Sequence, residues 1–517
     1  MKLTFPSHKI FTLPLIVSAL LPLSATASGS DGPIIDRIDD STSPATQLGS
    51  YTFDANPAAE AYRHPYTLSS INISADYLRQ SKPATVQEGD GHMTGAFTAG
   101  SYMRLRRNTV VWGAAEFQTG QFRNIRWNNS SDYSRISPYV IGDSVGGDVQ
   151  SRRYSFNGGY AGTAGRWSWG AKASYRASID YRNRDPRVKI IVSDLNIDLG
   201  GTYKISNLYA IGLSGGVNIY VQESDLKFYN PINTIQTYAM TGIGTTYTRF
   251  SGNSTESTAY SGIGYRAAMQ LFSIKDTGLK LTVDYNYARI DQILRDFNNL
   301  TLCYTDNHRL SGQASYVARL SGSMTIGARL NAMWQRRLGT ENLFGTAVNN
   351  TYERISSRTY YYNDIVASAL EFPIQLHLSR WQIIATPKFG FDYNRESYHR
   401  PYRDLECHGY NYGMELEGRW KTQRMLIRAG ASCTYSNRTR DKQILTALNR
   451  NSSIGAMVVN NYTMLSADRL NIDAMISADY VLDGSIAMFT DVRYNFTDFA
   501  DACGTAARLV ASIGVRF

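Results

Sequence analysis

A chain of 517 residues could form two or three soluble domains, but its composition favours one large strand-rich domain. It contains 36 tyrosines and 42 glycines beside only 14 prolines. Its net charge of +10 is spread along the chain rather than clustered, which argues against nucleic acid as a partner and fits contact with anionic lipid headgroups.

The first residues have the pattern of a secretory leader. Lys2 and Lys9 precede an apolar run over residues 10–23, and Ala25-Thr26-Ala27 then supplies a small-x-small cleavage pattern. We predict a signal peptide over residues 1–27 that is removed from the mature chain. Beyond it, no apolar stretch approaches the roughly 18 residues that a transmembrane helix requires.

Residues 28–65 are polar and rich in proline. Asn56-Pro57-Ala58 lies just before the first predicted strand. The sequence leaves two alternatives open for this segment, namely a periplasmic tail or a hatch inside the lumen of a barrel.

The clearest strand signal in the chain lies at residues 166–182. Every second residue from Trp167 to Tyr181 is compatible with lipid, and the residues between them are small or charged. Period-two alternation places these two sets on opposite faces of one strand. The pattern exceeds the roughly 5–6 residues of a soluble strand and is long enough for the 9–11 or so of a transmembrane strand.

Similar alternation recurs from residue 66 to the end, and the connections alternate between short and long. Residues 107–108 and 206–207 are short connections, whereas residues 119–150 and 222–256 are long ones. This rhythm is typical of transmembrane barrels with tight periplasmic turns and longer external loops. We predict an all-β fold, a single transmembrane antiparallel β-barrel over residues 66–517. It has 18 strands, with 16 as the alternative, and both termini are periplasmic.

Aromatic residues add two signals for a membrane. Four tryptophans lie within a few residues of a short turn and predict an aromatic girdle on one side; they are Trp112, Trp167, Trp381 and Trp420. The last predicted strand ends on Phe517, which resembles the C-terminal signal read by the bacterial outer-membrane assembly machinery. That machinery and outer-membrane lipids are therefore predicted partners.

These features resemble outer-membrane β-barrel proteins of the Bacteroidota, in particular a family of unknown function. The resemblance covers the whole mature chain, rests on pattern rather than catalytic motifs, and implies a location in the outer membrane of a Gram-negative bacterium. Asn56-Pro57-Ala58 also resembles the long-chain fatty-acid transporter class, in which an Asn-Pro-Ala motif lies in the N-terminal hatch.

The predicted inward faces carry charges of both signs on neighbouring strands. Such charges either stiffen the wall by pairing or line a water-filled channel, and the sequence leaves both alternatives open. The predicted lumen-lining charges are Lys172, Arg176, Asp180, Glu415, Glu417, Arg419, Arg428, Asp473, Asp479, Arg493 and Arg508.

One histidine has polar neighbours that suggest catalysis. His408 follows Cys407, with Asp404 and Glu406 nearby, but no general-base partner has a fixed spacing here. A solvated loop histidine is the preferred interpretation. We predict no catalytic residues, no cofactor and no enzymatic activity.

The four cysteines are too widely separated to indicate a zinc site, so we predict no metal. Cys433 falls on a predicted lipid face. Cys303, Cys407 and Cys503 each precede a strand descending from an external loop, and the sequence leaves open whether two of them form a disulfide.

The functional prediction is a pore or transporter for small solutes. The alternatives are an accessory barrel that partners a lipoprotein or receptor, and a transporter for hydrophobic substrates. An enzyme with a site at the external rim is the least favoured.

Overall fold

The alternating segments form strands that pair in antiparallel order and close into a barrel. The computed structural model describes residues 32–230, 232, 235–252, 256–348, 351–500 and 503–517, so the predicted signal peptide lies outside the described residues. The strands are β1 (Leu68–Gln80), β2 (Gly91–Arg106), β3 (Thr109–Ile125), β4 (Ile141–Asp143), β5 (Gly147–Ala164), β6 (Trp167–Arg182), β7 (Arg187–Lys204), β8 (Tyr209–Lys227), β9 (Thr237–Gly242), β10 (Thr245–Thr246), β11 (Glu256–Ser273), β12 (Gly278–Leu294), β13 (Leu300–Ser321), β14 (Met324–Phe344), β15 (Arg354–Glu371), β16 (Ile374–Leu378), β17 (Trp381–His399), β18 (Tyr402–Lys421), β19 (Met425–Leu445), β20 (Arg469–Asp483), β21 (Ile486–Phe499) and β22 (Gly504–Arg516).

The barrel has 18 strand positions in the described part of the chain. β4, β9 and β10 form a small separate sheet. β15 and β16 share one position, since both pair with β14 and β17 on either side of Pro373, which has no N–H to donate. β1 pairs with both β2 and β22 and thereby closes the ring. The prediction of 18 strands is confirmed, and the alternative of 16 is wrong.

The outer face of the barrel is apolar and exposed. Ile73, Leu213 and Leu416 lie on this face and are 62%, 62% and 55% exposed. The inner face carries polar side chains at the intervening positions, as period-two alternation requires. Such a surface has the alternation of lipid-facing and lumen-facing residues that a membrane-spanning barrel requires.

The strands extend further at the long-loop end than the sequence pattern predicted. β3 continues to Ile125 and β5 begins at Gly147, so the predicted loop over residues 119–150 is shortened to 126–146. β8 continues to Lys227 in the same way. The reason is that antiparallel pairing continues into polar sequence, where the alternation between lipid-compatible and polar residues has already faded.

The prediction for Trp112 is wrong. Trp112 pairs in register with Tyr102 and Gly159, and its ring lies over Gly159 on the inner face. Tyr102 on the same face donates a hydrogen bond to the Glu60 carbonyl oxygen at 2.8 Å. By contrast, Trp167 and Trp381 lie on the outer face, and Trp420 packs beside Trp381 with ring centroids 6.3 Å apart.

Residues 34–66 lie inside the barrel at the end where the short turns are, and we call them the N-terminal plug. The plug contains α1 (Ile34–Ser41), α2 (Pro44–Leu48), α3 (Ser50–Ala55) and a 3-10 turn, Ala59–Tyr62. Ile34 and Ile38 of α1 are buried against Leu426 and Ala487 of the wall. None of the helices in the described part of the chain has the length and apolar character needed to cross a membrane.

The opposite end is covered by a second set of segments, which we call the outer closure. It comprises residues 84–88, 126–146, 237–252 and 453–465. The segment 126–146 contains α4 (Tyr133–Ile136), and residues 453–465 form α5 (Ser453–Leu465). These segments share one apolar cluster with the barrel wall, to which Val86, Ile136, Met240 and Val458 contribute.

Candidate functional site

A cavity of about 1410 Å³ lies between the N-terminal plug and the outer closure. Tyr51 of α3 lines one end, and Tyr133, Arg135 and Met457 line the other. The side wall comes mainly from the inner faces of β7 to β17. The volume exceeds the roughly 300–1,000 Å³ of typical small-molecule pockets. We call this space the chamber.

The plug is locked into the wall at Asn56, which is fully buried. Its side-chain oxygen accepts a hydrogen bond from the Ala58 amide at 2.9 Å. Its side-chain nitrogen donates to the Gln270 side-chain oxygen at 2.8 Å and to two wall carbonyl oxygens. A Cβ atom added at Gly200 would overlap the Asn56 side chain, so this close approach depends on glycine.

A second set of contacts ties α1 to β18. The Arg419 guanidinium is fully buried and donates to the Asp39 carbonyl oxygen at 3.2 Å and to Thr42 Oγ1 at 2.6 Å. Its distance to the Asp39 carboxylate is 3.0 Å. Lys421 lies 2.7 Å from Asp36 and 2.9 Å from Asp39. Since these charges are paired and hydrogen-bonded, they hold the plug in one position.

Two titratable groups in the plug are neutral near pH 7. Burial, reinforced by Asp284, raises the pKa of Tyr51 to about 12, so its hydroxyl remains protonated at the chamber end. Burial, followed by the charges of Arg63 and Arg104, lowers the pKa of His64 to about 4. Arg104 also donates to the His64 carbonyl oxygen, with Nε at 3.0 Å.

The outer closure is held by a network of partly buried charges, which we call the latch. Arg176 of β6 donates to both carboxylate oxygens of Asp132, at 3.0 and 2.6 Å. Arg135 lies 2.8 Å from Asp194 of β7 and stacks over the Tyr220 ring at 4.1 Å. Tyr220 donates to Asp132 at 2.9 Å. The latch therefore joins segment 126–146 to three neighbouring strands.

The pKa of Asp132 reflects the latch. Burial alone would raise this pKa, but the hydrogen bonds and charge from Arg176, with smaller contributions from Tyr220 and Arg135, lower it below its usual value. Asp132 is therefore ionised throughout the physiological pH range and keeps its ion pairs.

Arg337 of β14 provides a further tether from the opposite wall. Its guanidinium donates to the Ser134 carbonyl oxygen at 2.8 Å and to the Ser137 carbonyl oxygen at 2.9 Å. Segment 126–146 is thus fastened on both sides of the barrel. The roles of Asp132, Arg135 and Arg337 could not be predicted from the sequence, because their partners lie 44 to 203 positions away and leave no local pattern.

The predicted lumen charges all lie on the inner face, but they do not act as one group. Arg176 belongs to the latch, and Asp180 accepts a hydrogen bond from Ser131 of the outer closure. Arg419 holds the plug and lies 3.7 Å from Glu417. Lys172 pairs in register with Asp198.

The remaining predicted lumen charges have partners on the barrel wall itself. These pairs are Glu415 with Lys388, Arg428 with Asp479, Arg493 with Asp491, Arg508 with Asp76, and Asp473 with Asn495. Glu415, Arg428, Arg493 and Arg508 thus have an opposite charge beside them on the wall, whereas Asp473 has only neutral hydrogen-bond donors in the described part of the chain.

The predicted histidine cluster is divided between the two faces of β18. Cys407 lies on the inner face and is 1% exposed, whereas His408 lies on the outer face with Nδ1 2.7 Å from Asp441. Asp404 pairs with Arg395 at 2.9 Å. Successive strand residues point to opposite faces, so Cys407 and His408 do not form a nucleophile and base pair.

The four cysteines are free thiols, and Cys303, Cys407 and Cys503 are buried in three different apolar clusters. Cys433 is exposed on the outer face. Among the described residues there is no group of three or more histidine, cysteine or carboxylate side chains placed to hold a metal ion.

A closed antiparallel barrel of 18 strands with an apolar outer face and a plug in its lumen defines the class of protein, a membrane-type β-barrel. The chain belongs to a family of unknown function, DUF6850, whose model matches residues 57–517. No curated protein sequence matches the chain.

Three similar solved structures are the following. The ferric preacinetobactin receptor BauA from Acinetobacter baumannii is 9% identical, with a TM-score of 0.38, over 87% of this chain and 80% of that one. The copper transporter OprC is 8% identical, with a TM-score of 0.37, over 86% and 80%. A bacterial polysaccharide outer membrane secretin is 11% identical, with a TM-score of 0.33, over 86% and 97%.

Proposed function

We propose that this protein is an outer-membrane transporter that passes polar solutes through a barrel closed at both ends. The observation that carries the proposal is the chamber between the N-terminal plug and the outer closure, whose side wall carries polar side chains. A barrel with a purely structural role would need no such space between two separately fastened closures.

The membrane location is supported by the outer surface. The outer face is apolar, and three of its tryptophans, Trp167, Trp381 and Trp420, follow or precede short turns. Tight turns lie on the periplasmic side of transmembrane barrels. The plug, at the short-turn end, therefore faces the periplasm of a Gram-negative bacterium, and the outer closure faces the exterior.

Transport requires two separate movements. The plug must leave its contacts at Asn56 and Arg419, and the outer closure must break the latch at Asp132 and Arg135. Because the two closures lie in series along the lumen, opening one of them leaves the path blocked at the other. The chamber can then accept a solute from one side at a time.

The chemistry of the chamber favours polar cargo over the hydrophobic substrates of the fatty-acid transporter class. Its wall carries Asn196, Asn286 and Asn331 beside charged groups such as Arg266 and Asp284. Moving an apolar molecule past these groups would remove water from polar atoms without replacing their hydrogen bonds.

Liposome swelling tests the proposal. Protein with Asn56→Ala and Arg135→Ala together should admit a monosaccharide at least ten times faster than the wild type, since both closures lose a fastening. Arg508→Ala, which removes a guanidinium paired with Asp76 along the wall, is the matched control for Arg135→Ala. Swelling of the double variant no faster than protein-free liposomes would reject the transporter and favour an accessory barrel.

A further inference from the structure

The chamber wall carries an unusual number of carboxamide side chains. They lie on the inner faces of β7, β8, β12, β13, β14, β15 and β17, and with Arg266 of β11 they form a continuous arc. The carboxamides are Asn196, Asn218, Asn286, Asn307, Gln313, Asn331, Gln335, Asn363 and Asn394. We call this arc the amide arc.

The inner wall outside the chamber carries ion pairs such as Arg428 with Asp479 and Arg508 with Asp76 on β19 to β22 and β1. Carboxamides such as Asn157 and Asn495 also lie there, and Asn495 donates to Asp473 at 2.6 Å. The amide arc differs in that its carboxamides face one shared open space, the chamber. Such a surface can serve as a ligand-binding wall.

Gln313 shows that the amide arc has unused hydrogen-bonding capacity. It is 8% exposed, and its nitrogen donates to Asn331 Oδ1 at 2.8 Å. Its oxygen accepts no hydrogen bond within the part of the chain that the structure describes, and the same holds for Asn307 Oδ1. Buried polar atoms of native proteins are nearly always hydrogen-bonded, so these two oxygens are candidates for ligand contacts.

The charged groups of the same wall are mostly engaged with one another. Arg266 lies 3.2 Å from Asp284 and 3.6 Å from Asp198. Arg135 is engaged with Asp194. Arg309 makes no ion pair among the described residues and offers donors from its guanidinium. The wall therefore presents many neutral donors and acceptors and little uncompensated charge.

We propose that the chamber binds an uncharged oligosaccharide through the amide arc, an inference that rests on the proposed function and names its cargo. Each hydroxyl of a sugar is both a donor and an acceptor, and a carboxamide is the neutral side chain that offers both. The arc spans eight neighbouring strand positions, roughly 34 Å at about 4.8 Å per strand. A surface of this length suits a chain of several sugar units better than a single one.

Titration calorimetry with maltohexaose, on full-length protein carrying Arg135→Ala to admit the ligand, tests this assignment. We expect saturable binding that is weakened at least tenfold by Asn307→Leu and by Gln313→Leu. Asn157→Leu is the matched control, because Asn157 lies on the inner face of β5 outside the chamber. Each variant is first checked for a folded barrel by its heat-dependent migration on a gel.

Two results would overturn the assignment. One is a failure of the amide arc to bind maltohexaose, seen either as no binding at all or as equal affinity for maltohexaose in the Asn307→Leu, Gln313→Leu and Asn157→Leu variants. The other is tighter binding of hexagalacturonate or of a neutral hexapeptide, which would assign the arc to an acidic sugar or a peptide. A variant that conducts in bilayers without binding the hexasaccharide rejects only the ligand class. A variant with both closures opened, Asn56→Ala with Arg135→Ala, that binds the hexasaccharide without conducting rejects only the transporter.

Discussion

At the scale of single residues, the contact between Asn56 and Gly200 makes a matched pair of substitutions informative. Gly200→Ala places a methyl group against the Asn56 side chain, whereas the nearest atom to a Cβ at Gly201 is 3.8 Å away. We expect Gly200→Ala to loosen the plug and Gly201→Ala to leave it in place. Limited proteolysis of residues 34–66 in the purified barrel measures the difference. Equal cleavage of both variants would exclude a lock at Asn56.

Asn56→Ala examines the same contact from the plug side. The substitution removes the buried carboxamide and leaves the Gln270 side-chain oxygen without its donor, which costs about 1–3 kcal/mol. We expect the plug to become protease-sensitive at a lower urea concentration than in the wild type. An unchanged urea dependence would show that Arg419 and α1 suffice to hold the plug.

The two faces of β6 give a second residue-scale prediction. Ala173 is exposed on the outer face, and Ser174 lies on the inner face. Ala173→Arg should lower the free energy of unfolding from lipid vesicles by ~2–4 kcal/mol, the cost of a lipid-facing charge at the bilayer midplane. Ser174→Arg should have a smaller effect. Equal losses would mean that the two faces are wrongly assigned.

The face that a residue occupies could be predicted wherever the odd- and even-numbered residues of a strand differ in polarity. In β6, apolar residues such as Trp167 alternate with polar ones such as Ser168 and Lys172. The face predicted to contact lipid is the face whose side chains are exposed in the structure. In β3, Val110 and Val111 are both apolar, so the local sequence does not determine the face. Trp112 lies on the same face as Val110, which is fully buried inside the barrel.

At the scale of elements, the contacts of the latch indicate that segment 126–146 should become more accessible to protease when the Asp132 carboxylate is neutralised. Asp132→Asn removes the ion pair with Arg176 and should expose this segment to protease at least several-fold faster at pH 7. Asp225→Asn is the control, because Asp225 is an exposed carboxylate on the outer face of β8. Equal protection of the two variants would show that Arg337 and the apolar cluster hold the segment without the latch.

The pH dependence of the latch follows from the lowered pKa of Asp132. A lowered pKa in the closed form stabilises closure above the usual carboxylate pKa, and this contribution is lost as pH falls through the lowered value. In protein lacking residues 28–56, conductance should stay constant from about pH 5 to 8 and rise below about pH 4. A rise between pH 5 and 7 would place the controlling group elsewhere.

Helical elements could not be predicted from the alternation that identified the strands. α5 follows Ser452, whose side chain accepts a hydrogen bond from the Gly455 amide as an N-cap. Its residues pack against Tyr361 and Leu405 of the wall, contacts that period-two patterns do not describe. The helices of the N-terminal plug are also held mainly by distant partners, such as Arg419 on β18.

At the scale of the whole molecule, the number and order of strands could be predicted because each hairpin is local in sequence. The chamber could not be predicted, since it depends on where the plug and the outer closure meet the wall. Residues 126–146 were expected to be a loop, and their placement inside the barrel depends on partners such as Asp194 and Arg337.

The central claim is that two closures in series block the lumen, and planar-bilayer conductance tests it most directly. Four proteins are compared: the wild type, a deletion of residues 28–56, Arg135→Ala, and the deletion combined with Arg135→Ala. We predict that only the combined variant conducts, at least tenfold above the wild type, because either closure alone still blocks the path. Full conductance from either single change, or a combined variant that stays closed, would contradict the claim.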